Sequence, residues 1–130
     1  MPRVGSGCWR SADVKRLIFA CRNTWNGLLA AARSEEAFRQ ELIVLLVAVP
    51  VAYFVGLDNW RRLALIAVIL FVMVVELLNT AVEKLADHVT PGRHPGIGRI
   101  KDMGSAAVGI SLLMAALVWL LALAERFGLL

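Results

Sequence analysis

The chain has 130 residues, 59% of them hydrophobic, and its mean hydropathy of +0.71 excludes a typical soluble protein. A net charge of +4 could suggest nucleic-acid binding, but the basic residues cluster beside apolar segments, where anionic lipid headgroups are the expected partners. We therefore expect one membrane-embedded domain, residues 1–130, that binds no nucleic acid.

The N-terminal region is expected to lie at the membrane surface. Residues 1–12 contain Gly, Ser and Pro and are expected to be flexible. Residues 13–33 place apolar side chains at helical spacing, with charged side chains on the other faces, which predicts an amphipathic helix that anchors the protein or covers a site. Cys8 and Cys21 have no metal-ligand spacing and are expected to be free thiols. No apolar core of signal-peptide length is present, so no cleaved signal is expected.

Three apolar runs predict transmembrane helices at residues 38–57, 63–83 and 104–124. A helix of about 20 apolar residues crosses roughly 30 Å of hydrocarbon. The first run reaches that length only if residues 38–41 extend its helix. The predicted fold class is therefore an all-α integral membrane protein with three transmembrane helices and an N-terminal interfacial helix.

The positions of the cations predict the orientation, because Lys and Arg near span ends favour the cytoplasmic side. Most of them precede the first span or lie between the second and third spans. The opposite side would hold only Arg61, Arg62 and Arg126. We expect a cytoplasmic N-terminus, a cytoplasmic second loop and a periplasmic C-terminus.

One stretch of the second span and its continuation carries polar side chains at helical spacing. Positions 76, 79, 80, 83 and 87 fall on one helix face and hold Glu76, Asn79, Thr80, Glu83 and Asp87. A charge at the centre of a membrane helix costs roughly 2.5–3.5 kcal/mol, so Glu76 is a candidate functional residue. Two carboxylates with an amide between them suit magnesium. Alternatively, Asn79 and Thr80 make interhelical hydrogen bonds, while Glu83 and Asp87 lie beyond the bilayer.

Two segments on the predicted cytoplasmic side could assist this stripe. Glu35 and Glu36 follow Ser34, which can cap a new helix, and their charges favour its positive end. Residues 88–102 form a Gly- and Pro-rich basic segment that can wrap phosphates, or that serves only as a connection. No GxxxxGK[ST] motif is present. The small residues that follow predict close helix packing.

Three segments together resemble the prokaryotic integral-membrane diacylglycerol kinase family: EEAFRQE at 35–41, VELLNTAVEKLAD at 75–87 and GRIKDMGSAAV at 98–108. The similarity covers nearly everything from Arg16 onward. It implies a homotrimeric helical bundle in the bacterial inner membrane, with sites formed between subunits. The implied reaction transfers the γ-phosphate of ATP, with Mg²⁺ as cofactor, to the hydroxyl of diacylglycerol, giving phosphatidic acid.

The resemblance also implies roles for individual residues. Glu76 corresponds to the catalytic base and contacts the lipid substrate, and Asn79 is its supporting amide. Glu35 and Glu83 correspond to the carboxylates that bind the metal. The ATP-binding positions include both metal carboxylates and are Arg16, Glu35, Glu83, His94, Lys101 and Asp102. The further lipid-substrate positions are Ser105 and Arg39.

One departure from the family and one further resemblance leave alternatives open. Asn23 stands where a member of the family has a tyrosine near the nucleotide, so the adenine contacts are unassigned. The HPGIG segment also resembles undecaprenol kinases, although KDMGSAAV favours diacylglycerol as acceptor. A third possibility is a non-enzymatic membrane transporter or assembly protein that uses Glu76 as a proton relay. A transporter would be expected to distribute polar groups across the membrane, whereas here they gather at one end of the spans.

Overall fold

The computed structural model describes the backbone of residues 7–92 and 94–129 and the side chains of residues 13–92 and 94–129. This part of the chain contains four α-helices and no β-strand. The helices are α1 (Gly7–Ser34), α2 (Glu36–Val55), α3 (Asn59–Val89) and α4 (Pro95–Arg126). The chain divides into two compact units, Met1–Glu36 and Ala37–Leu130, which are described separately. The predicted all-α class is confirmed.

The first unit contains α1, and several of its large apolar side chains remain uncovered. The side chains of Val14, Leu17 and Ile18 are each more than half exposed, as suits a helix that lies against a membrane surface. The helix begins at Gly7 and so includes residues 7–12, which were expected to be flexible; each residue added to an existing helix gains a backbone hydrogen bond. Cys21 is an exposed free thiol, whereas the Cys8 side chain lies outside the described residues.

The second unit contains the apolar part of the chain. Helices α2, α3 and α4 are each long and apolar enough to cross a membrane. Both α3 and α4 are longer than the predicted spans, because hydropathy marks the part of a helix in hydrocarbon whereas the helix continues to its caps. Asp58 caps the start of α3, and its side chain accepts a hydrogen bond from the Arg61 backbone amide at 2.8 Å.

Helices α3 and α4 form an antiparallel pair, and α2 packs against it. One cluster of buried side chains joins the three helices and consists of Ala52, Val55, Leu65 and Ala122. A second joins α3 to α4 and consists of Val68, Val72 and Ala115. Most other large apolar side chains of the unit are exposed. In a membrane protein such side chains face lipid or further subunits, so their exposure agrees with a membrane environment.

Charged side chains join the helix ends far from the polar stripe. Arg61 forms ion pairs with Asp58 and, at 2.6 Å, with Glu125 near the end of α4. Arg62 donates to the Gly56 carbonyl at 3.2 Å and lies over the Tyr53 ring at 5.3 Å from its centre. The hydrogen bonds from Arg61, first its backbone amide and then its guanidinium, lower the pKa of Asp58. These contacts connect the ends of α2, α3 and α4.

Candidate active site

The polar stripe lies on one partly covered face of α3. The side chains of Glu76, Asn79, Thr80 and Glu83 are half-buried, whereas those of Leu78, Val82 and Leu85 on other faces are exposed. Asp87, one turn beyond Glu83, is exposed. Because a helix rises 1.5 Å per residue, Glu76 lies about 10 Å deeper along α3 than Glu83. The stripe therefore runs from the apolar middle of the helix to its polar end.

Asn79 links the stripe to α4. Its Nδ2 donates a hydrogen bond to Glu83 Oε1 at 3.1 Å. Its Oδ1 is buried and has no hydrogen-bond partner within the described residues. This oxygen lies against Gly104, where any Cβ would overlap it. A glycine is thus required at this crossing of α3 and α4 if the Asn79 amide is to keep its position, and that position orients Glu83.

Glu41 contributes a further carboxylate from α2. Its Oε2 is buried and, among the described residues, has no hydrogen-bond partner. Glu41 and Glu76 are close enough for their charges to interact. A buried acceptor without a donor is costly, so this oxygen is available to a proton or to a substrate hydroxyl. The helical spacing of polar residues did not point to Glu41, although its place at the start of the first apolar run, as a carboxylate beside hydrocarbon, was a usable signal.

The connection between α3 and α4 forms a pocket of about 510 Å³ at the polar end of the stripe. Lys101 Nζ contacts Asp87 Oδ1 at 2.5 Å across this pocket. His94 caps α4, and its Nδ1 accepts a hydrogen bond from the Gly96 amide at 3.1 Å. The pocket is lined by Asp87, Pro91, Gly92, His94, Pro95, Ile97, Gly98 and Lys101.

The chemistry of this pocket suits phosphate. The start of a helix carries a partial positive charge; at the start of α4 the Gly96 amide donates to His94 Nδ1 and the Gly98 amide donates to the His94 carbonyl. Lys101 adds a full charge from the same helix. The basic segment predicted to wrap phosphates lines this pocket and contributes Lys101 as a cation, and phosphate binding there stays a prediction. Two of the predicted ATP-binding residues, His94 and Lys101, lie together there. The third residue of this region, Asp102, is exposed beside them in sequence.

The other predicted residues are placed as follows. Arg16 lines a hollow on α1 with Asp13, Leu17 and Ala20. Glu35 lies between α1 and α2, and its Oε1 accepts a hydrogen bond from the Ser34 hydroxyl at 2.7 Å. Both residues belong to the first unit, so their meeting with Glu83 stays a prediction. Arg39 on α2 and Ser105 on α4 are exposed.

A magnesium site is only partly represented in the second unit. No group of three or more His, Cys, Asp or Glu side chains suited to a metal occurs in the described part of the chain. Glu83 offers carboxylate oxygen, the ligand type that magnesium prefers, and this ion takes only one or two protein carboxylates beside water and phosphate. Glu83 therefore has the ligand chemistry that magnesium prefers, and it could hold the ion from α3 together with water and phosphate.

Comparisons with known proteins identify the family of this chain. The family model described as prokaryotic diacylglycerol kinase matches residues 22–123. The chain is 42% identical to the diacylglycerol kinase of Escherichia coli K12 over 113 residues, which cover 87% of this chain and 93% of that protein. It is 41% identical to the diacylglycerol kinase of Pseudomonas aeruginosa over 82% of this chain and 86% of that one. It is 35% identical to the diacylglycerol kinase of Haemophilus influenzae over 85% of this chain and 94% of that protein. This chain belongs to the prokaryotic diacylglycerol kinase family.

Proposed function

We propose that this chain is a lipid kinase that transfers the γ-phosphate of ATP to the hydroxyl of diacylglycerol, giving phosphatidic acid and ADP. The observation that supports it is the order of polar groups along α3. Glu76 lies in the apolar part of the helix, whereas Glu83 and the pocket around Lys101 lie at its polar end. This order suits a reaction between a lipid hydroxyl, held in the membrane, and a phosphate donor that arrives from water.

Glu76 acts as the general base in this proposal. Its carboxylate accepts the proton of the diacylglycerol hydroxyl as the hydroxyl oxygen bonds to the γ-phosphorus and the bond from that phosphorus to the β-phosphate oxygen breaks. Glu41 on α2 lies close enough to Glu76 for their charges to interact, so it is a second carboxylate beside the proposed base. Arg39 and Ser105 contact the lipid headgroup region.

The phosphates of ATP bind at the start of α4. Lys101 offsets their charge, and His94 holds the first turn of α4 through its bond to the Gly96 amide. Arg16 and Asp102 complete the nucleotide contacts. Magnesium, held by Glu83 and Glu35, would neutralise charge on the phosphates when bound. Asn79 orients Glu83 through their 3.1 Å hydrogen bond.

We also propose that the protein is a homotrimer in the bacterial inner membrane, with a cytoplasmic N-terminus and a periplasmic C-terminus. The exposed apolar side chains of α2 to α4 support a membrane-embedded assembly, and the cation distribution supports the orientation. Residues 1–130 form one functional domain in this account, because Arg16 and Glu35 from the first unit are needed beside residues of the second.

The proposal is tested by following phosphate transfer from labelled ATP in detergent micelles with magnesium. Diacylglycerol and undecaprenol are offered in parallel reactions, and the labelled lipid products are separated. We expect labelled phosphatidic acid, with at most minor labelling of undecaprenol. Preferential labelling of undecaprenol would overturn the proposed acceptor, and labelling of neither lipid would overturn the kinase activity itself.

A further inference from the structure

An ion pair between α3 and the start of α4 joins Asp87 to Lys101, and both residues line the proposed phosphate pocket. Lys101 Nζ is 2.5 Å from Asp87 Oδ1. Both residues line the pocket of about 510 Å³ formed by the α3–α4 connection. Asp87 is the last member of the polar stripe, and it has no part in the mechanism proposed above. The cation expected to bind phosphate thus has a carboxylate as its partner.

The pair is exposed enough for its partners to be exchanged. The side chains of Asp87 and Lys101 are 64% and 36% exposed. Ion pairs between such side chains contribute little to stability, because water solvates both charges and salt screens their attraction. A multiply charged phosphate attracts an ammonium group more strongly than one carboxylate does. A bound triphosphate can therefore take Lys101 from Asp87 at small cost.

We propose that Asp87 is an internal competitor for the phosphate, holding Lys101 in the free enzyme and setting the affinity for the nucleotide. This inference rests on the proposed function, because it assigns Lys101 to the phosphates of ATP. Asp87 is a positioning residue that acts through Lys101. Its carboxylate lowers nucleotide affinity in two ways, since it neutralises Lys101 and since it repels an anion in the same pocket.

A structural role for Asp87 would have the opposite consequence. If the carboxylate supported Lys101 in its binding position, removal of the charge would weaken nucleotide binding. Competition instead predicts that removal strengthens it. The sign of the change in KM for ATP therefore separates the two roles. If Asp87 competes with the phosphate, the KM for diacylglycerol should stay unchanged, because the lipid binds deeper along α3.

The test compares Asp87→Asn with the unaltered protein in steady-state kinetics with magnesium ATP. We expect the KM for ATP to fall by about two- to fivefold, the range that an exposed ion pair allows, with the KM for diacylglycerol unchanged. Asp87→Glu, which keeps the charge, should restore most of the original KM. Glu125→Gln removes a carboxylate at the opposite end of α4 and should leave both KM values unchanged. An unchanged or increased KM for ATP in Asp87→Asn would overturn the proposal.

A double-mutant cycle shows whether Asp87 acts through Lys101. Binding of magnesium tripolyphosphate, which needs no lipid acceptor, is measured by calorimetry for Asp87→Asn, Lys101→Met and the double variant. We expect Asp87→Asn to strengthen binding when Lys101 is present and to change it much less when Lys101 is absent. If Asp87→Asn strengthened binding equally with and without Lys101, Asp87 would act only by repelling the anion. That result would overturn the proposal that the phosphate replaces Asp87 as the partner of Lys101.

These measurements separate the inference from the proposed function. If no lipid is phosphorylated but tripolyphosphate binding follows the predicted cycle, the acceptor chemistry is wrong and the competition between Asp87 and the anion stands. If phosphatidic acid is formed but the cycle shows no dependence on Lys101, the kinase proposal stands and the competition is wrong.

Discussion

Asn79 and Gly104 fit against each other where α3 packs on α4, and the fit leaves no room for a Cβ at position 104. Small residues let membrane helices approach closely enough for side-chain amides to lie at their interface. Here the close approach fixes the side chain of Asn79, and its Nδ2 donates a hydrogen bond to Glu83 Oε1. A backbone position on one helix thereby determines the orientation of a proposed metal carboxylate on another.

Gly104→Ala should therefore impair activity. The added methyl group must displace Asn79 or separate the helices, and a misplacement of about 1 Å in an active site can lower the rate by about 100-fold. We expect turnover to fall by roughly 10- to 100-fold in the phosphate-transfer assay. Gly109→Ala is the matched control, because its Cβ would meet nothing within 4 Å in the described structure. Equal losses in the two variants would contradict the role of the Asn79–Gly104 contact.

Glu83→Gln should raise the magnesium requirement. The amide oxygen of glutamine can still accept the hydrogen bond from Asn79, so the change removes the charge and keeps the local contact. We expect the magnesium concentration for half-maximal activity to rise by about tenfold or more, as loss of groups around a metal commonly causes. A magnesium titration checks this, and an unchanged midpoint would exclude Glu83 as a ligand.

Glu125→Gln should lower thermal stability without altering the chemistry. Its carboxylate forms the ion pair that joins α4 to Arg61 on α3, far from the polar stripe. Because ion pairs that water still reaches contribute little, and this pair is only partly covered, we expect a fall of only a few degrees in Tm in detergent and an unchanged KM for ATP. Thermal unfolding followed by circular dichroism gives the first value. A large loss of activity at a temperature where the variant remains folded would contradict this assignment.

Acid should weaken the same end of the bundle through Asp58. Its hydrogen bonds with Arg61 lower its pKa in the folded protein, so its contribution to stability is present above the unfolded value of about 3.9. That contribution is lost as pH falls from about 4 through the lowered pKa. Asp58→Asn should reduce this part of the pH dependence of Tm. An identical acid dependence in the variant and the unaltered protein would show that other groups cause it.

The sequence was sufficient to predict the three apolar helices, because their signal is local and strong: length, hydropathy and bounding polar residues. It also predicted the polar face of α3, since a helical period brings Glu76, Asn79 and Glu83 to one side. Helix ends were less accurate, because the caps at Asp58 and His94 lie beyond the apolar runs. Hydropathy indicates which residues favour hydrocarbon, whereas a helix ends where its backbone groups no longer find intrahelical hydrogen-bond partners.

Contacts between helices were not predictable in the same way. Glu41 beside Glu76, Gly104 against Asn79 and Arg61 beside Glu125 each join residues on different helices. Periodicity indicates which face of a helix is polar, but it does not indicate which neighbour covers that face or at what height. The pair of Asp87 and Lys101 depends on how the α3–α4 connection turns, which composition alone does not determine.

Glu76→Gln, compared with the unaltered protein in turnover and in ATP binding, decides whether Glu76 is the general base. Glutamine keeps the shape of the side chain but cannot accept the proton of the lipid hydroxyl. General-base catalysis contributes roughly 10²- to 10⁴-fold, so turnover to phosphatidic acid should fall by at least about 100-fold while the affinity for magnesium ATP stays within about twofold. Retention of more than about a tenth of the turnover would show that Glu76 is not the base.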